Sequence, residues 1–233
     1  MLDILAAEPE KAELLMPYLQ AGINSPFPES QSAALLCAAK VVEVRNDLAQ
    51  DVFPWVQSAV VSPHASVRQT ALLAGAEMAI SQPALALPFT PMLNSAMQDN
   101  DAGVRTYAHL QAGRLVLSSP TSADYLLPRM LKGADDASPK VQIATQVGLA
   151  AVIKIRRDLA PSCEAAIEKG LADVVPDLNT AAAANVLLMR DYGLMETYNP
   201  RTVFNEMTGS GGGGSGDPKR RTVHAPIHRS GYH

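Results

Sequence analysis

A spacing of 37 residues recurs along the sequence and constrains the fold more than any other feature. One column of prolines keeps this spacing, and so do one polar column and two apolar columns. These columns are Pro17, Pro54, Pro91 and Pro128; Ser25, Ser62, Asp99, Asp136 and Asp173; Val67, Val104, Val141 and Leu178; and Ala34, Ala71, Ala108, Thr145 and Ala182. One structural unit is therefore repeated about five times. A period of this length is typical of stacked helix pairs, in which each pair buries its apolar face on its neighbours.

The composition favours helices over strands. Apolar residues make up 47% of the chain but aromatic residues only 5%, so alanine, leucine, valine and methionine must build the core. Alanine and leucine have high helix propensity, and no alternating apolar run is long enough for a sheet. We therefore predict an all-α domain over residues 1–207, which is long enough to bury a sizeable core.

The third unit shows how the columns fit a helix pair. We predict a first helix over 84–97, a turn at 98–101 and a second helix over 102–117. Asp99 in the turn can cap the second helix or close the turn, because its carboxylate accepts backbone N–H bonds. The serines and aspartates of its column can all do the same. Pro91 lies in the first helix, where a proline removes a hydrogen bond and bends the helix.

A proline followed by an acid after eight residues and by Val-Arg after thirteen and fourteen resembles the signature of HEAT repeats. The third unit matches it fully with Pro91, Asp99, Val104 and Arg105. Ser62 replaces the acid in the second unit, Gln142 replaces the arginine in the fourth, and the end units match least. The resemblance covers about residues 10–193 and implies an α-solenoid of about five HEAT-like helix pairs. Asn199-Pro200 is a helix start, so we also predict a short C-terminal capping helix at 200–207.

The resemblance also implies where a ligand binds, since the second helices of HEAT-like stacks line the concave face. We predict a core stripe of Val67, Ala71, Ala74 and Met78 in the second unit, and the opposite stripe then faces the ligand. The candidate peptide-binding residues, which include two acids, are Gln69, Leu72, Ala76, Thr106, His109, Gly113, Gln146, Ala150, Glu77 and Asp191. One column is small throughout: Ala39, Ala76, Gly113 and Ala150. It is either a floor that lets a peptide backbone approach or a site of tight helix packing.

The acidic column has two possible roles. Asp99, Asp136 and Asp173 form an edge that could hold a basic ligand. Alternatively, these acids close turns and pair with Arg68 and Arg105 inside the stack. We favour the structural role for the acids and for the arginines.

Signals for catalysis are weak. His64 in a turn and His109 on a helix are the only histidines before the glycine-rich stretch, and no metal-spaced cluster, phosphate loop or nucleophile motif accompanies them. We therefore predict no enzyme activity, no cofactor and no metal. A HEAT-like lyase that acts on a chromophore and a purely structural spacer stay open as alternatives. A HEAT-like DNA glycosylase is disfavoured, because phosphate binding needs clustered basic residues.

Three single residues give smaller expectations. Trp55 is expected to pack in the core or against a ridge of the stack. Cys37 and Cys163 lie in apolar helical contexts, which favours two buried free thiols over a disulfide.

The chain shows no signal peptide and no apolar run of transmembrane length, so we expect a cytoplasmic protein.

The end of the sequence differs from the rest in composition. Residues 208–216 contain GSGGGGSG, which looks like an engineered linker, and residues 217–233 (DPKRRTVHAPIHRSGYH) have no core-forming pattern. This last segment has four basic residues and one acid, a net charge of +3, which leaves −7 for the rest of the chain out of a total of −4. The segment is either a tag or cloning remnant, or a partner's short basic peptide fused to its receptor. We favour the fused peptide.

These patterns together predict an adaptor or scaffold that binds a basic linear peptide. An acidic body suits a basic peptide and disfavours nucleic acid. The predicted peptide anchors are Arg220, Arg221, Val223, Ile227, Arg229 and Tyr232. The histidines of the segment, His224, His228 and His233, are irregularly spaced, so we expect peptide or solvent contacts for them and no metal.

Overall fold

The computed structural model describes residues 11–194, and all regular secondary structure in that range is helical. Its α-helices, numbered along the chain, are α1 (Ala12–Ile23), α2 (Pro28–Val44), α3 (Ala49–Ala59), α4 (Ala65–Ser81), α5 (Ala86–Ala96), α6 (Ala102–Ser118), α7 (Ala123–Met130), α8 (Pro139–Ile155), α9 (Glu164–Ala172) and α10 (Pro176–Asp191). Consecutive helices form five pairs, and each pair is one 37-residue unit. The predicted capping helix at 200–207, the linker and residues 217–233 lie outside the described residues.

The second helices of the five units stack in chain order. Helix α2 packs on α4, α4 on α6, α6 on α8 and α8 on α10, and each first helix packs on the second helix of its own unit. The prediction of an all-α solenoid of about five helix pairs is confirmed.

The proline column lies inside the first helices, as predicted. Pro17, Pro54, Pro91 and Pro128 are internal to α1, α3, α5 and α7. The first helix of the third unit starts later than predicted, because Pro83–Leu85 form a 3-10 turn and α5 begins only at Ala86. The position of the prolines therefore fixes the first helices, while their exact starts follow from the preceding turns.

One apolar core runs through the stack. The predicted core stripe of Val67, Ala71, Ala74 and Met78 is fully buried, which confirms the phase of that stripe. The core continues from Leu35 to Met189 through all five units. Small alanine side chains on the second helices let large side chains of the first helices, such as Phe89 and Leu126, fill the space between them.

The remaining single-residue expectations hold with one difference. Trp55 is half-buried and packs against the core, as predicted. Both cysteines are free, but only Cys163 is fully buried, whereas Cys37 is half-buried. Burial raises the pKa of the Cys163 thiol to about 12, so this thiol is unreactive at neutral pH.

Candidate functional site

The turn of every unit is closed in the same way by a side chain of its second helix. Each of these side chains donates to the backbone carbonyl six residues earlier. The bonds run from Gln31 to Ser25 (2.7 Å), Arg68 to Ser62 (2.9 Å), Arg105 to Asp99 (2.8 Å), Gln142 to Asp136 (2.8 Å) and Asn179 to Asp173. Glutamine, arginine and asparagine therefore do the same work at equivalent positions, because each carries an N–H donor of suitable reach.

The serine and aspartate column completes the turns. Each of its side chains accepts a hydrogen bond from the backbone N–H two residues later, at 2.8–3.3 Å, in all five units. In the third unit the helix cap itself comes from Asp101, which accepts from the backbone N–H of Val104 at 2.9 Å. The predicted turn-closing role of the column is confirmed.

Two arginines also join neighbouring units. Arg68 donates two hydrogen bonds of 2.7 Å to Asp99, and Arg105 donates to Asp136 at 2.7 and 2.9 Å. These bidentate pairs link the second unit to the third and the third to the fourth. Asp99 and Asp136 are therefore engaged inside the stack, which confirms the structural role that the sequence favoured for them.

The environment of the two paired carboxylates lowers the pKa of each. At Asp99 burial alone would raise the pKa, but the hydrogen bonds from Arg68 and from the backbone N–H of Asp101 outweigh burial. At Asp136 the hydrogen bond from Arg105 is the largest effect, and it exceeds the opposing effect of burial. Both carboxylates are therefore charged at neutral pH and hold their arginines in place.

The first junction of the stack lacks such an ion pair. Gln31 and Ser62 occupy the arginine and aspartate positions there, and both line an open cavity of about 260 Å³. The cavity is also lined by the apolar side chains of Ile23, Leu35 and Val67. Two short side chains thus leave the space that a guanidinium and a carboxylate fill at the next two junctions.

Five of the predicted peptide-binding residues are buried, so their assignment to the ligand face was wrong. Leu72, Ala76, His109, Gly113 and Gln146 lie between neighbouring helices and have no side-chain surface to offer. A Cβ atom on Gly113 would lie 2.9 Å from the Cα of Gly148, so α6 and α8 approach closely there. Tight helix packing is therefore the role of the small column, and the peptide-floor alternative fails.

The buried polar members of this set, His109 and Gln146, have hydrogen-bond partners inside the stack. His109 Nδ1 lies 3.1 Å from Thr145 Oγ1, whose hydroxyl donates to the carbonyl of Val141. The threonine oxygen therefore accepts from the Nδ1–H of His109. Gln146 donates to the carbonyl of Ala166 at 2.7 Å and accepts from Asn185 at 3.0 Å. These bonds join the third, fourth and fifth units inside the stack.

The other predicted residues keep some exposure. Gln69, Thr106, Ala150 and Glu77 are half-buried, and Asp191 is exposed. Glu77 lies at the centre of a charged row on the second helices, where its carboxylate is 2.7 Å from Arg114 and 3.9 Å from Lys40. We call Lys40, Glu77 and Arg114 the charged row.

The solvent-facing side of the second helices carries an apolar row that sequence reasoning missed. The row contains one residue of each unit at 37-residue spacing: Leu36, Leu73, Leu110, Val147 and Ala184. Leu36 is 41% exposed and Val147 50%, while Leu73 and Leu110 are half-buried. The row lies one residue after the predicted ligand-face positions Leu72 and His109, and one residue rotates a helix position by about 100°. The 37-residue spacing contained this row, but only burial shows which column faces solvent.

An open pocket lies on the first helices. It has a volume of about 630 Å³ and is lined by Leu87, Pro91, Asn94 and Tyr125, among others. No charged residue lines it, so it offers no electrostatic attraction to a basic ligand. The second helices carry the apolar row together with exposed carboxylates such as Glu43 and Asp191, so they are the candidate face.

The described residues form neither a metal site nor a membrane span. Among residues 11–194, no group of three histidine, cysteine, aspartate or glutamate side chains is placed to hold a metal ion. Within the same stretch, every helix is too short or too polar to cross a membrane.

The fold and the repeated turns define an all-α solenoid built from helical repeats. No protein-family model and no curated protein matches the chain. Among solved structures, it is similar to an engineered protein (14% identity, TM-score 0.57, 82% of this chain and 92% of that one). It is also similar to a computationally designed armadillo repeat protein for modular peptide recognition (14% identity, TM-score 0.55, 82% of this chain and 96% of that one). A third similar structure is Kap95p, described with RanGDP (12% identity, TM-score 0.60, 90% of this chain and 36% of that one). At these identities the likeness shows the fold alone.

Proposed function

We propose that this chain is a non-enzymatic, HEAT-like adaptor of the cytoplasm that binds a short basic linear peptide of a partner protein on its second helices. The observation that carries the proposal is the apolar row, which presents one side chain per unit beside the charged row. A periodic surface of this kind suits an extended ligand that crosses several units.

The similarity to a designed armadillo repeat protein supports the peptide part of the proposal. That protein is described as made for modular peptide recognition. A stack of helix pairs offers the same kind of long, repetitive surface here. Protein binding is therefore the function that this architecture favours, and the peptide class is our own proposal.

Charge supports a basic ligand. Residues 1–216 carry a net charge of −7, and exposed carboxylates such as Glu43 and Asp191 lie on the second helices. The segment at 217–233 carries +3, and the glycine-rich linker before it would raise its effective concentration near the body to the mM range. We propose that this segment is a partner's peptide, with Arg220, Arg221 and Arg229 as its basic contacts.

The apolar contacts of that peptide would provide most of its binding energy. Val223, Ile227 and Tyr232 are its apolar or aromatic anchors, and such anchors dominate peptide interfaces. The arginines would mainly set the encounter rate and the salt dependence.

The burial of His109 supports the non-enzymatic part of the proposal. This histidine is 1% exposed and is hydrogen-bonded inside the stack, so it has no access to a substrate. A lyase or glycosylase function would need other residues for acid–base chemistry.

The proposal is tested by separating the two pieces. A synthetic peptide of residues 217–233 is titrated into a chain that ends at Met207, which keeps all of the described residues 11–194 and their core. We expect saturable binding that weakens as salt rises, because a basic peptide meets an acidic body. Alanine at both Arg220 and Arg221 is expected to weaken binding at low salt and to matter less at high salt.

A scrambled peptide of the same composition is the control, since it keeps the charge and loses the order of the anchors. Equal binding of both peptides would show that the interaction depends on charge alone and not on the order of the anchors. No binding at mM concentration would identify residues 217–233 as a tag or cloning remnant and would remove the support for an adaptor.

A further inference from the structure

We infer that the apolar row binds its peptide in the polyproline II conformation and contacts every third residue of it. This inference rests on the proposed function and names the form of ligand that the same face selects. It follows from the spacing of the row, from its borders and from the order of residues in the segment at 217–233.

The row has one member per unit, so its spacing equals the distance between stacked second helices. Packed helices lie about 8–10 Å apart. A polyproline II chain has three residues per turn and rises about 3.1 Å per residue, so its side chains return to the same face after about 9 Å. The two repeats therefore match, and one turn of peptide spans one unit.

Other peptide conformations do not match this spacing. In a β-strand the side chains of one face recur after two residues, or about 6.6–6.8 Å. This repeat is shorter than the distance between units, so the side chains of a strand do not meet consecutive members of the row. An α-helical peptide is disfavoured for the segment at 217–233, because Pro226 lies in its interior.

The polar side chains beside the row suit a bound peptide whose backbone makes no hydrogen bonds within itself. A polyproline II backbone leaves its carbonyl groups free. Lys40 and Arg114 lie four residues after Leu36 and Leu110 on the same helices, so they stand beside the row. Both side chains are partly exposed and can donate to peptide carbonyls while they remain paired with Glu77.

The segment at 217–233 has a matching period. Arg220, Val223, Pro226, Arg229 and Tyr232 are spaced by three, which gives one residue for each of the five units. Each of them has an apolar body or stem that can cover a leucine or valine. Ile227 falls outside this series, so the inference separates it from Val223 among the anchors proposed above.

The first test uses peptides that differ only in the spacing of their anchors. Two synthetic peptides have equal numbers of leucine, proline, lysine and serine, with leucine at every third or at every second position. Each is titrated into the chain ending at Met207 by fluorescence anisotropy. We expect the period-three peptide to bind at least about tenfold more tightly, because only its leucines all meet the row.

The second test changes the row. Leu36→Asp and Val147→Asp each place a charge on an exposed row position and are expected to weaken the period-three peptide about tenfold. Leu87→Asp is the matched control, since Leu87 is 53% exposed but lies on the first helix α5. It is expected to leave binding unchanged, and circular dichroism checks that all three variants stay folded.

The outcomes separate this inference from the proposed function. If the 217–233 peptide binds while both designed peptides bind equally, the inference is overturned and the adaptor stands. If the period-three peptide binds but the 217–233 peptide does not, the inference holds and the basic ligand is wrong. Within the 217–233 peptide, Val223→Ser is expected to weaken binding more than Ile227→Ser, and the reverse order also overturns the inference.

Discussion

His109 shows how one buried polar side chain can control stability. It packs against Gly133 and Thr145, and a Cβ atom at position 133 would collide with both side chains. Burial lowers the pKa of the His109 imidazole from 6.5 to about 4; the attraction of Asp136 opposes this shift and the repulsion of Arg105 adds to it.

The first prediction concerns pH. The unfolded chain protonates His109 near pH 6.5, whereas the folded chain keeps the ring neutral down to about pH 4. Protons therefore favour the unfolded state between these values, and the free energy of unfolding falls as the pH falls. We expect a loss of about 2 kcal/mol from this group between pH 7 and pH 5. Urea unfolding at both pH values measures it.

His109→Gln is the comparison, because a glutamine cannot titrate in this range. Its absolute stability is expected to be lower, but the loss between pH 7 and pH 5 is expected to shrink. An unchanged pH dependence in the variant would assign the effect to another group. The carboxylates Asp99 and Asp136 act in a separate pH range. Because their pKa values are lowered in the folded state, the stability that they contribute to the protein is lost only as the pH falls below about 3.8.

At the scale of helices and turns, the second and third units differ from the others by an arginine that pairs with the aspartate in the turn of the next unit. Arg105 does two things at once: it closes its own turn and binds Asp136 of the next unit. Gln31 and Gln142 close equivalent turns without such a pair. A glutamine at position 105 can therefore keep the turn and remove only the link between units.

We expect Arg105→Gln to lower the free energy of unfolding by about 2 kcal/mol, because the largely buried Asp136 loses two charged hydrogen bonds. Adding Asp136→Ser reproduces the residue pair of the first junction and is expected to recover part of the loss. A double-mutant cycle in urea measures the coupling. Additive effects of the two substitutions would show that the pair contributes nothing as a pair.

The sequence alone predicted these elements well and the face of the second helices poorly. The columns gave the helix pairs, the internal prolines and the turn-closing residues, because these depend on local chemistry that recurs every 37 residues. Which column faces solvent depends on helix rotation, and a one-residue error exchanged buried Leu72 for half-buried Leu73. On an alanine-rich second helix, apolar residues occur on both sides, so hydrophobicity alone does not define the phase.

At the scale of the whole stack, stability is the sum of the units and of the contacts between neighbours. The central junctions have core packing and a largely buried arginine–aspartate pair between their turns, whereas Gln31, Ser62 and a cavity take the place of that pair at the first junction. The first unit is therefore expected to open at a lower free energy than the centre.

Hydrogen exchange tests this prediction. Amides of α2 are expected to exchange before those of α6 and α8 under native conditions. The double variant Gln31→Arg and Ser62→Asp restores the residue types of the central junctions and is expected to slow exchange in α2 without affecting α8. If α2 and α6 exchange together in the unsubstituted chain, the stack opens as one cooperative body.

The self-contained turns also have a genetic consequence. Each turn is closed by a side chain of its own unit, so a 37-residue in-frame duplication or deletion joins one column to its equivalent and leaves every remaining turn complete. The ion pairs between units are the exception, because the two units that supply the paired side chains must stay adjacent in the sequence. Lengthening such a gene by one repeat would extend the apolar row by one side chain and, in the peptide register inferred above, the bound peptide by three residues. Binding specificity could therefore evolve by copy number, without a change in any individual contact.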